Sequence, residues 1–359
     1  TVAVLVRRAG SDHFAVEATV GLPDTAASGL SLPADSPIVR STAVHVVDDR
    51  GEWTADERRI LRQAGSERAV ICRRGEEAVG FITLGRKLTK EAFDDDDEVF
   101  LEAVAGQLAV GIGRLRGRRA ELEFAQALQI QRSLLPAEIP QIEGVEVVAR
   151  WKPAREVSGD YYDVLRLDDH RLAVCIGDVV GKGMPAALLM SSLQAAVKAV
   201  ATGDAEPVMV CSQVRSVVTS NLQGGKFVTF FFAIVDGASK RLTYTNCGHN
   251  QPVLVRGNGE AMRLGEGGPA FARLMRDLPY KQEQLVLHPG DRLVLFTDGV
   301  SEAEGRGGDQ FGEDRLETLA VEHRGASATD LERKLTDVVI EHADGELQDD
   351  LTLLVLAVN

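Results

Sequence analysis

The feature that most constrains the fold is a long helical stretch between two regions of strand-like sequence. An acidic run from Asp94 to Glu98 opens it, and carboxylates at a helix start complement the unpaired N–H groups and the helix dipole. Pro136 closes it, because proline lacks an amide donor and clashes with the preceding turn. We therefore predict a linker helix over residues 94–135, with a separate domain on each side.

Leucines recur along this predicted helix at a spacing typical of a seam between paired helices. The seven-residue repeat comprises Leu101, Leu108, Leu115 and Leu122, and the seam then shifts to Leu128 and Leu135. We predict that the helix joins two chains in a homodimer. The alternative is that the leucines pack on the preceding domain, since Gly111, Gly113 and Gly117 weaken a continuous coiled coil.

Residues 1–93 show short apolar alternations broken by Gly, Pro and Asp, which predict a small α+β domain. Its predicted strands include residues 14–20, 39–47, 69–72 and 79–84. The chain opens at Thr1 inside a strand-like run and without a methionine. We therefore expect this domain to be truncated at its start.

Residues 136–359 contain many short, turn-bounded strand patterns and four helical ones. The predicted strands are 145–151, 161–167, 171–177, 228–235, 241–245, 251–256, 284–287, 292–297 and 351–358, and the helices are 185–201, 207–222, 315–323 and 328–342. Two helices follow the early strands and two precede the last one. This order favours an antiparallel sandwich flanked by helices, so the predicted fold class is α+β.

Composition excludes several classes of function. With 40 Lys+Arg against 54 Asp+Glu, the net charge of −14 gives no electrostatic footprint for nucleic acid. No apolar run is long enough to span a membrane, and no charged-then-apolar leader is present. The four cysteines lie far apart without metal-ligand spacing, which indicates reduced thiols. We therefore expect a cytoplasmic protein.

Four strand-like runs in the second half end at an aspartate beside a tight, mostly glycine-rich turn, although Asp is depleted in strands. These residues are Asp160, Asp178, Asp298 and Asp349. If the strand ends converge, the carboxylates repel one another unless hard divalent cations neutralise them. Oxygen ligands favour Mg²⁺ or Mn²⁺ over Zn²⁺, and a pair of such ions catalyses phosphoester hydrolysis. The alternative is Asp-Gly turn chemistry alone.

The adjacent glycines fit the metal interpretation, because they let the backbone approach closely enough for the Val179 carbonyl to join the ligands. Five motifs then follow in order: residues 156–163 (EVSGDYYD), 177–187 (GDVVGKGMPAA), 246–250 (NCGHN), 297–303 (TDGVSEA) and 349–352 (DDLT). In this order they resemble the stage II sporulation E and RsbU-type serine phosphatases, which belong to the metal-dependent type 2C protein phosphatase superfamily. The resemblance covers residues 122–359.

The resemblance implies an αββα sandwich whose metal ligands are Asp160, Asp178, Asp298, Asp349 and the Val179 carbonyl, with Asp350 as a neighbour. It implies two Mn²⁺ or Mg²⁺ ions and leaves a third, weaker one open. It also implies that the substrate is a phosphorylated anti-sigma-factor antagonist in bacterial partner switching. Two departures from the family pattern are Ser158, where a second glycine is usual, and residues 267–277, a flap-like segment that is usually shorter and glycine-rich.

Residues 79–85, followed by the acidic turn and the start of the helix, resemble a GAF sensor domain. Such domains bind small ligands or dimerise, but no residue here identifies a ligand. If the helix joins this domain to the catalytic half, a change in dimer packing shifts the phosphatase between inactive and active arrangements.

Two residues of the motifs have alternative interpretations. His249 suits a general acid for the leaving group, but a hairpin turn over residues 246–250 explains it better. Lys182 either binds phosphate or belongs to the loop before the 185–201 helix, and residues 177–183 lack the length and the Ser/Thr of a P-loop. Four arginines in the linker helix, Arg114, Arg116, Arg118 and Arg119, are interpreted as a solvated face.

The leading prediction is a metal-dependent protein serine/threonine phosphatase. The alternatives are a phosphatase-like interaction module without turnover and a metal phosphohydrolase of small molecules. The intact set of four aspartates argues against the first alternative.

Overall fold

The computed structural model describes residues 1–8, 10–40, 44–48, 53–154, 157–203 and 206–359. The chain forms two compact units, Thr1–Glu123 and Phe124–Asn359. A 40-residue helix, α3 (Asp95–Leu134), contributes residues to both. The domain limits at residues 93 and 135 remain predictions.

The first unit is built on one six-stranded antiparallel sheet with the order β3-β2-β1-β6-β5-β4. Its elements are β1 (Val2–Arg7), β2 (His13–Val20), α1 (Asp24–Ser28), β3 (Ser31–Pro33), β4 (His45–Val46), α2 (Ala55–Gln63), β5 (Arg68–Arg74) and β6 (Glu77–Leu84). One face of the sheet packs around Phe14 and Phe81, whose rings meet edge to face at 4.7 Å. Helix α2 begins with a capping box in which Thr54 and Glu57 exchange side-chain to backbone hydrogen bonds.

Helix α3 begins in the acidic run as predicted. Asp94 and Asp97 each accept a hydrogen bond from the other's backbone N–H at 2.9 Å, which satisfies two donors of the first turn. The helix ends at Leu134, two residues before Pro136. In the first unit it covers the second face of the sheet, where Leu101, Ala105 and Ala109 are buried against strand residues.

The leucine repeat does not form one continuous seam. Leu101 is 6% exposed and packs with the sheet residues Val70 and Val79, and Leu108 packs partly buried in the same cluster. Leu115 and Leu122 are 68% and 64% exposed. The prediction of a dimer seam is therefore wrong for its first half, because the apolar sheet face recruits those leucines.

The predicted strand over residues 39–47 is also wrong in extent. Residues Pro37–Arg40 form a 3₁₀ helix, β4 covers only His45–Val46, and residues 41–43 lie outside the described part of the chain. Pro37 fixes its own φ near the helical value and lacks an amide donor, which favours a helical turn over a sheet strand.

The second unit contains two sheets, with the orders β14-β11-β10-β9-β8 and β13-β12-β16-β17-β7, and β15 pairs with β11. Its strands are β7 (Val145–Lys152), β8 (Tyr161–Arg166), β9 (Arg171–Val179), β10 (Val228–Asp236), β11 (Arg241–Cys247), β12 (Val253–Val255), β13 (Ala261–Arg263), β14 (Gly267–Gly268), β15 (Glu283–Val286), β16 (Arg292–Phe296) and β17 (Leu351–Val358). Its helices are α4 (Met184–Val200), α5 (Pro207–Asn221), α6 (Asp298–Ser301), α7 (Glu313–Glu322) and α8 (Ala328–His342). These bounds confirm most of the predicted elements, and the paired strands are antiparallel apart from β11 and β14.

Alternation along β16 explains how the layers pack. Leu293 and Leu295 belong to the core shared by the two sheets, whereas Val294 and Phe296 belong to the core under α7 and α8. Successive strand residues point to opposite faces, so one sheet serves both cores. Helices α4 and α5 contact the outer face of the other sheet. The structure confirms the predicted antiparallel sandwich flanked by helices.

Antiparallel pairing places four key chain segments at one edge of this sandwich. The start of β8 lies beside the end of β9, with Tyr161 opposite Gly177. The end of β16 lies beside the start of β17, with Phe296 opposite Leu353. No helix within the described ranges is both long and apolar enough to cross a membrane.

Candidate active site

The first pair of predicted ligands lies where β8 begins and β9 ends. Asp160 directly precedes β8, and Asp178 is the penultimate residue of β9. A Cβ atom on Gly159 would lie 2.9 Å from the Val179 carbonyl oxygen and 3.2 Å from Asp178 Oδ1. Only glycine allows this approach. The turn before β8 therefore contacts the Val179 carbonyl and the Asp178 carboxylate at the end of β9.

The second pair comes from the other sheet. Asp298 begins α6 just after β16, and Asp349 lies in the loop before β17. A Cβ atom on Gly299 would lie 2.0 Å from the Asp350 carbonyl oxygen, so these two backbones are in direct contact. Glycine is therefore required here for close approach and not for turn conformation.

Asp160 connects the two sheets. Its side chain is 1% exposed, and its Oδ2 accepts hydrogen bonds from the hydroxyls of Thr297, at 2.8 Å, and Thr352. Both threonines are fully buried and also pair through their backbones, since Thr297 N–H donates to the Thr352 carbonyl at 3.1 Å. A carboxylate from one sheet thus fixes two strand ends of the other.

Asp350 has a structural role. Its Oδ1 accepts from the Ala154 N–H at 2.8 Å, and its Oδ2 accepts from the Gly159 N–H at 2.9 Å. These bonds occupy both carboxylate oxygens and hold the turn that presents Asp160.

The pKa values of the site carboxyl groups are raised because several of these groups lie near one another and are largely buried. Burial and the neighbouring Asp178 raise the pKa of Asp160 well above its ordinary value. Burial and the charges of Asp298 and Asp349 raise the pKa of Asp178 to about 7. Burial and Asp349 raise the pKa of Asp298 to about 6.

The four aspartates share one edge of the sandwich without forming a ready-made metal cluster. Across the described ranges, no three acidic, histidine or cysteine side chains are arranged to hold an ion. Asp160 is turned to its two threonines, and Asp349 Oδ2 lies 2.7 Å from the Lys182 ammonium. The four carboxylates therefore lie at one edge of the sandwich, as expected, but they do not all point to one place.

The donor chemistry of the edge nevertheless fits hard divalent cations. Its candidate ligands are the carboxylates of Asp160, Asp178, Asp298 and Asp349 and the carbonyl oxygen of Val179, all of them oxygen atoms. Burial and neighbouring carboxylates raise the pKa values of Asp178 and Asp298, and a bound cation would offset both effects.

Lys182 reaches this edge from the loop between β9 and α4. Its ammonium donates to the Gln348 carbonyl at 2.7 Å in addition to its ion pair with Asp349. Gly181 and Gly183, on either side, have φ of 101° and 76°, values that favour glycine. The turn that starts α4 therefore brings a cation to the site, as the loop interpretation predicts, and phosphate binding by Lys182 stays a prediction.

His249 serves the turn and not proton transfer. The Asn246 side chain accepts from the His249 N–H at 2.8 Å and donates to its carbonyl at 3.1 Å, which closes the loop. The imidazole is 5% exposed, its Nδ1 lies 2.8 Å from the Thr229 hydroxyl, and burial lowers its pKa to about 4. The lowered pKa disfavours the imidazolium form that a general acid needs near pH 7.

Ser158, the departure from the family pattern, is accommodated by new contacts. Its hydroxyl accepts from the Asp160 N–H at 3.0 Å and from the Trp151 indole at 3.3 Å. Its backbone N–H and carbonyl bond to the side chain of Gln131, on α3, at 2.9 and 2.7 Å. Glu156, at the start of this motif, lies outside the described residues.

Sequence reasoning missed three residues that position Asp160: Thr297, Thr352 and Gln131. The threonines had a usable signal, since each lies within two residues of an aspartate at the end of a buried strand. The sequence signal for Gln131 was weak, because polar residues are common on exposed helix faces. Only the structure shows that this side chain is 3% exposed.

We predict that Asp178→Asn makes the metal-free protein less sensitive to pH. The raised pKa of Asp178 means that its contribution to stability is present below about pH 4 and is lost as pH rises to about 7. The variant has no such charge, so its free energy of unfolding should rise relative to wild type across that range by more than about 1 kcal/mol. Urea titrations with chelator at several pH values measure this difference. The exposed Asp169→Asn control should show no trend, and a flat difference for Asp178→Asn would contradict the account.

We predict that Gly159→Ala lowers the free energy of unfolding by about 1–3 kcal/mol, because the new methyl group meets the Val179 carbonyl. Gly106→Ala in α3 is the matched control, since nothing lies within 4 Å of a Cβ there. Urea denaturation in chelator compares the two. Equal stabilities for the two variants would show that the close approach of these turns is not required.

Comparison with known proteins identifies the family of the chain. A family model described as stage II sporulation protein E (SpoIIE) matches residues 168–359. Phosphoserine phosphatase RsbU of Bacillus subtilis is 31% identical over 286 residues, which cover 77% of this chain and 85% of RsbU.

Solved structures give the same result. The RsbU and RsbW domains of a Mycobacterium tuberculosis protein match with a TM-score of 0.56 and 26% identity over 63% of this chain and 63% of theirs. The SiaA-PP2C domain of Pseudomonas aeruginosa matches with a TM-score of 0.58 and 22% identity, covering 68% of this chain and 99% of that domain, and so shows the PP2C fold. This chain belongs to the stage II sporulation protein E (SpoIIE) family.

Proposed function

We propose that this chain is a metal-dependent protein serine/threonine phosphatase that hydrolyses phosphoserine on an anti-sigma-factor antagonist in bacterial partner switching. The observation that carries the proposal is the meeting of Asp160 and Asp178 from one sheet with Asp298 and Asp349 from the other, in a chain of the SpoIIE family. The name of its relative RsbU, a phosphoserine phosphatase, supports the same substrate group.

The proposed metal ligands are Asp160, Asp178, Asp298, Asp349 and the Val179 carbonyl oxygen. When bound there, two Mn²⁺ or Mg²⁺ ions would neutralise the carboxylates and activate water for attack on phosphorus. Thr297 and Thr352 hold Asp160 in place, and Asp350 holds the turn before it.

Lys182 is the proposed phosphate contact of the protein itself. An ammonium has three donors, of which Gln348 and Asp349 occupy two in the structure. The third is free to bind an oxygen of the phosphoester at the edge of the site.

The first unit is the proposed sensor, a GAF-like domain that receives a small ligand or dimerises. Its six-stranded antiparallel sheet with a helix across one face supports this assignment. The exposed Leu115 and Leu122 in the second half of the leucine repeat are the proposed dimer contacts. Because sigma factors act on the transcription machinery, the proposed location is the cytoplasm.

A first assay separates this function from its alternatives. We predict that Mn²⁺ supports release of phosphate from both a phosphoserine protein and an aryl phosphate, and that chelator or Asp298→Asn removes at least about 99% of it, since loss of a metal ligand removes charge stabilisation in the transition state. Asp169→Asn is the control and should retain activity. Turnover of the aryl phosphate alone would support a small-molecule phosphohydrolase, and turnover of neither would support an interaction module.

A second experiment tests the dimer. We predict that Leu115→Asp shifts the protein from dimer to monomer and changes its phosphatase rate, because a charge placed in an apolar helix contact opposes association. Sedimentation velocity and phosphate release measure the two effects, with Glu102→Asp, also exposed on α3, as the control. No change in either quantity would contradict the role of the helix.

A further inference from the structure

A basic pocket of about 280 Å³ lies on the second unit between α5 and the segment that follows β14. It is lined by Ser212, Arg215, Ser216, Thr219, Ser220, Arg273, Arg276 and Asp277. Three guanidinium groups and one carboxylate therefore meet in a chain whose net charge is −14. Such a local excess of positive charge favours an anionic ligand.

The pocket lies beside the active-site edge. Phe271 exchanges two backbone hydrogen bonds with Val228, at 2.8 and 3.1 Å, and Val228 is paired with Val179 on its other side. Two strand spacings, about 10 Å, thus separate Phe271 from the candidate ligand Val179. Arg273 follows Phe271 by two residues, so a polypeptide in the active site can also reach the pocket.

The three arginines of the pocket are incompletely neutralised by carboxylates. Arg215 stacks over the Tyr280 ring at 4.4 Å and donates to the Leu278 carbonyl. In the described part of the chain, neither Arg215 nor Arg273 forms an ion pair with a carboxylate. Arg276 pairs with Asp277 at 3.6 Å, but both side chains are largely exposed, and such a pair contributes little.

Three of the four hydroxyl groups of the pocket are already engaged. Those of Ser212, Thr219 and Ser220 each donate to a carbonyl of their own helix. The arginines therefore supply the donors for a ligand, and a guanidinium binds a carboxylate through two parallel hydrogen bonds.

The rim of the pocket distinguishes a protein ligand from a free anion. The same segment exposes Leu274, Met275 and Leu278, with exposed fractions of 99%, 42% and 50%. A small anion gains nothing from these side chains, whereas protein interfaces are enriched in Arg and Met and bury apolar groups.

We propose that this pocket binds an acidic segment of the phosphoprotein substrate and thereby selects that substrate. The inference rests on the proposed phosphatase function and adds a docking site to it. An acidic enzyme otherwise repels an acidic phosphoprotein, and a positive pocket next to the active site offsets that repulsion where the substrate must bind.

The test uses two phosphoserine peptides that differ only in flanking residues, Asp and Glu in one and Asn and Gln in the other. At low salt with Mn²⁺, the wild type should show a kcat/KM about tenfold higher for the acidic peptide, equivalent to about 1.4 kcal/mol. Arg273→Glu with Arg276→Glu should abolish this preference. Arg241→Glu, an exposed reversal at the far end of β11, should preserve it. High salt should also reduce the preference, because ions screen exposed charges.

Binding is measured separately by fluorescence anisotropy with the unphosphorylated acidic peptide, so that the result does not depend on turnover. Binding lost in the double variant and kept in Arg241→Glu supports the pocket even if the wild type hydrolyses no phosphoester, an outcome that would refute only the proposed function. Hydrolysis of both peptides without preference, an equal loss in Arg241→Glu, or unchanged binding in the double variant would overturn the pocket. Competition by inorganic phosphate as effective as that by the acidic peptide would overturn it as well.

Discussion

The arrangement of the second unit depends on one buried carboxylate, Asp160. A charged or polar group removed from water costs free energy unless hydrogen bonds replace its hydration. Asp160 obtains two such bonds from Thr297 and Thr352, which belong to the opposite sheet. The same bonds that satisfy the carboxylate therefore hold the two sheet edges together, and Asp178, Asp298 and Asp349 lie at this shared edge.

Two glycines allow the chain segments at this edge to approach closely, because each lies against a backbone carbonyl that a side chain would meet. Gly159 faces the Val179 carbonyl, and Gly299 faces the Asp350 carbonyl. Gln131 adds a second kind of control, because it bonds to both backbone groups of Ser158, two residues before Asp160. The last turns of α3, which belong to the second unit, thus help to support the candidate active site.

Much of this organisation could be predicted from local sequence. The aspartates lie at the ends of apolar strands, and within each sheet antiparallel pairing places the end of one strand beside the start of its neighbour. The acidic start and the proline end of α3 are likewise local signals. The dimer contact predicted for Leu101 is wrong, because a seven-residue spacing shows only which residues share a helix face. It does not show what that face packs against, and Leu101 packs against the sheet of its own unit.

The contacts that complete the site could not be predicted because they join distant parts of the chain. Thr352 bonds to Asp160, and Lys182 pairs with Asp349, across more than 160 residues in each case. The sequence around Thr297 or Gln131 does not indicate which distant residue each side chain will contact. The basic pocket is similar, since Arg215 and Arg273 come together only when α5 packs near the segment after β14.

The proposed metal site is a pair of divalent cations bound by carboxylates from both sheets. Electron paramagnetic resonance of the chain titrated with Mn²⁺ tests it directly, because ions about 3.5–4 Å apart give an exchange-coupled spectrum that single ions do not. We predict at least two bound ions per chain with a coupled signal, which Asp178→Asn removes and Asp169→Asn retains. A single uncoupled ion, or a coupled signal that persists in Asp178→Asn, would contradict it.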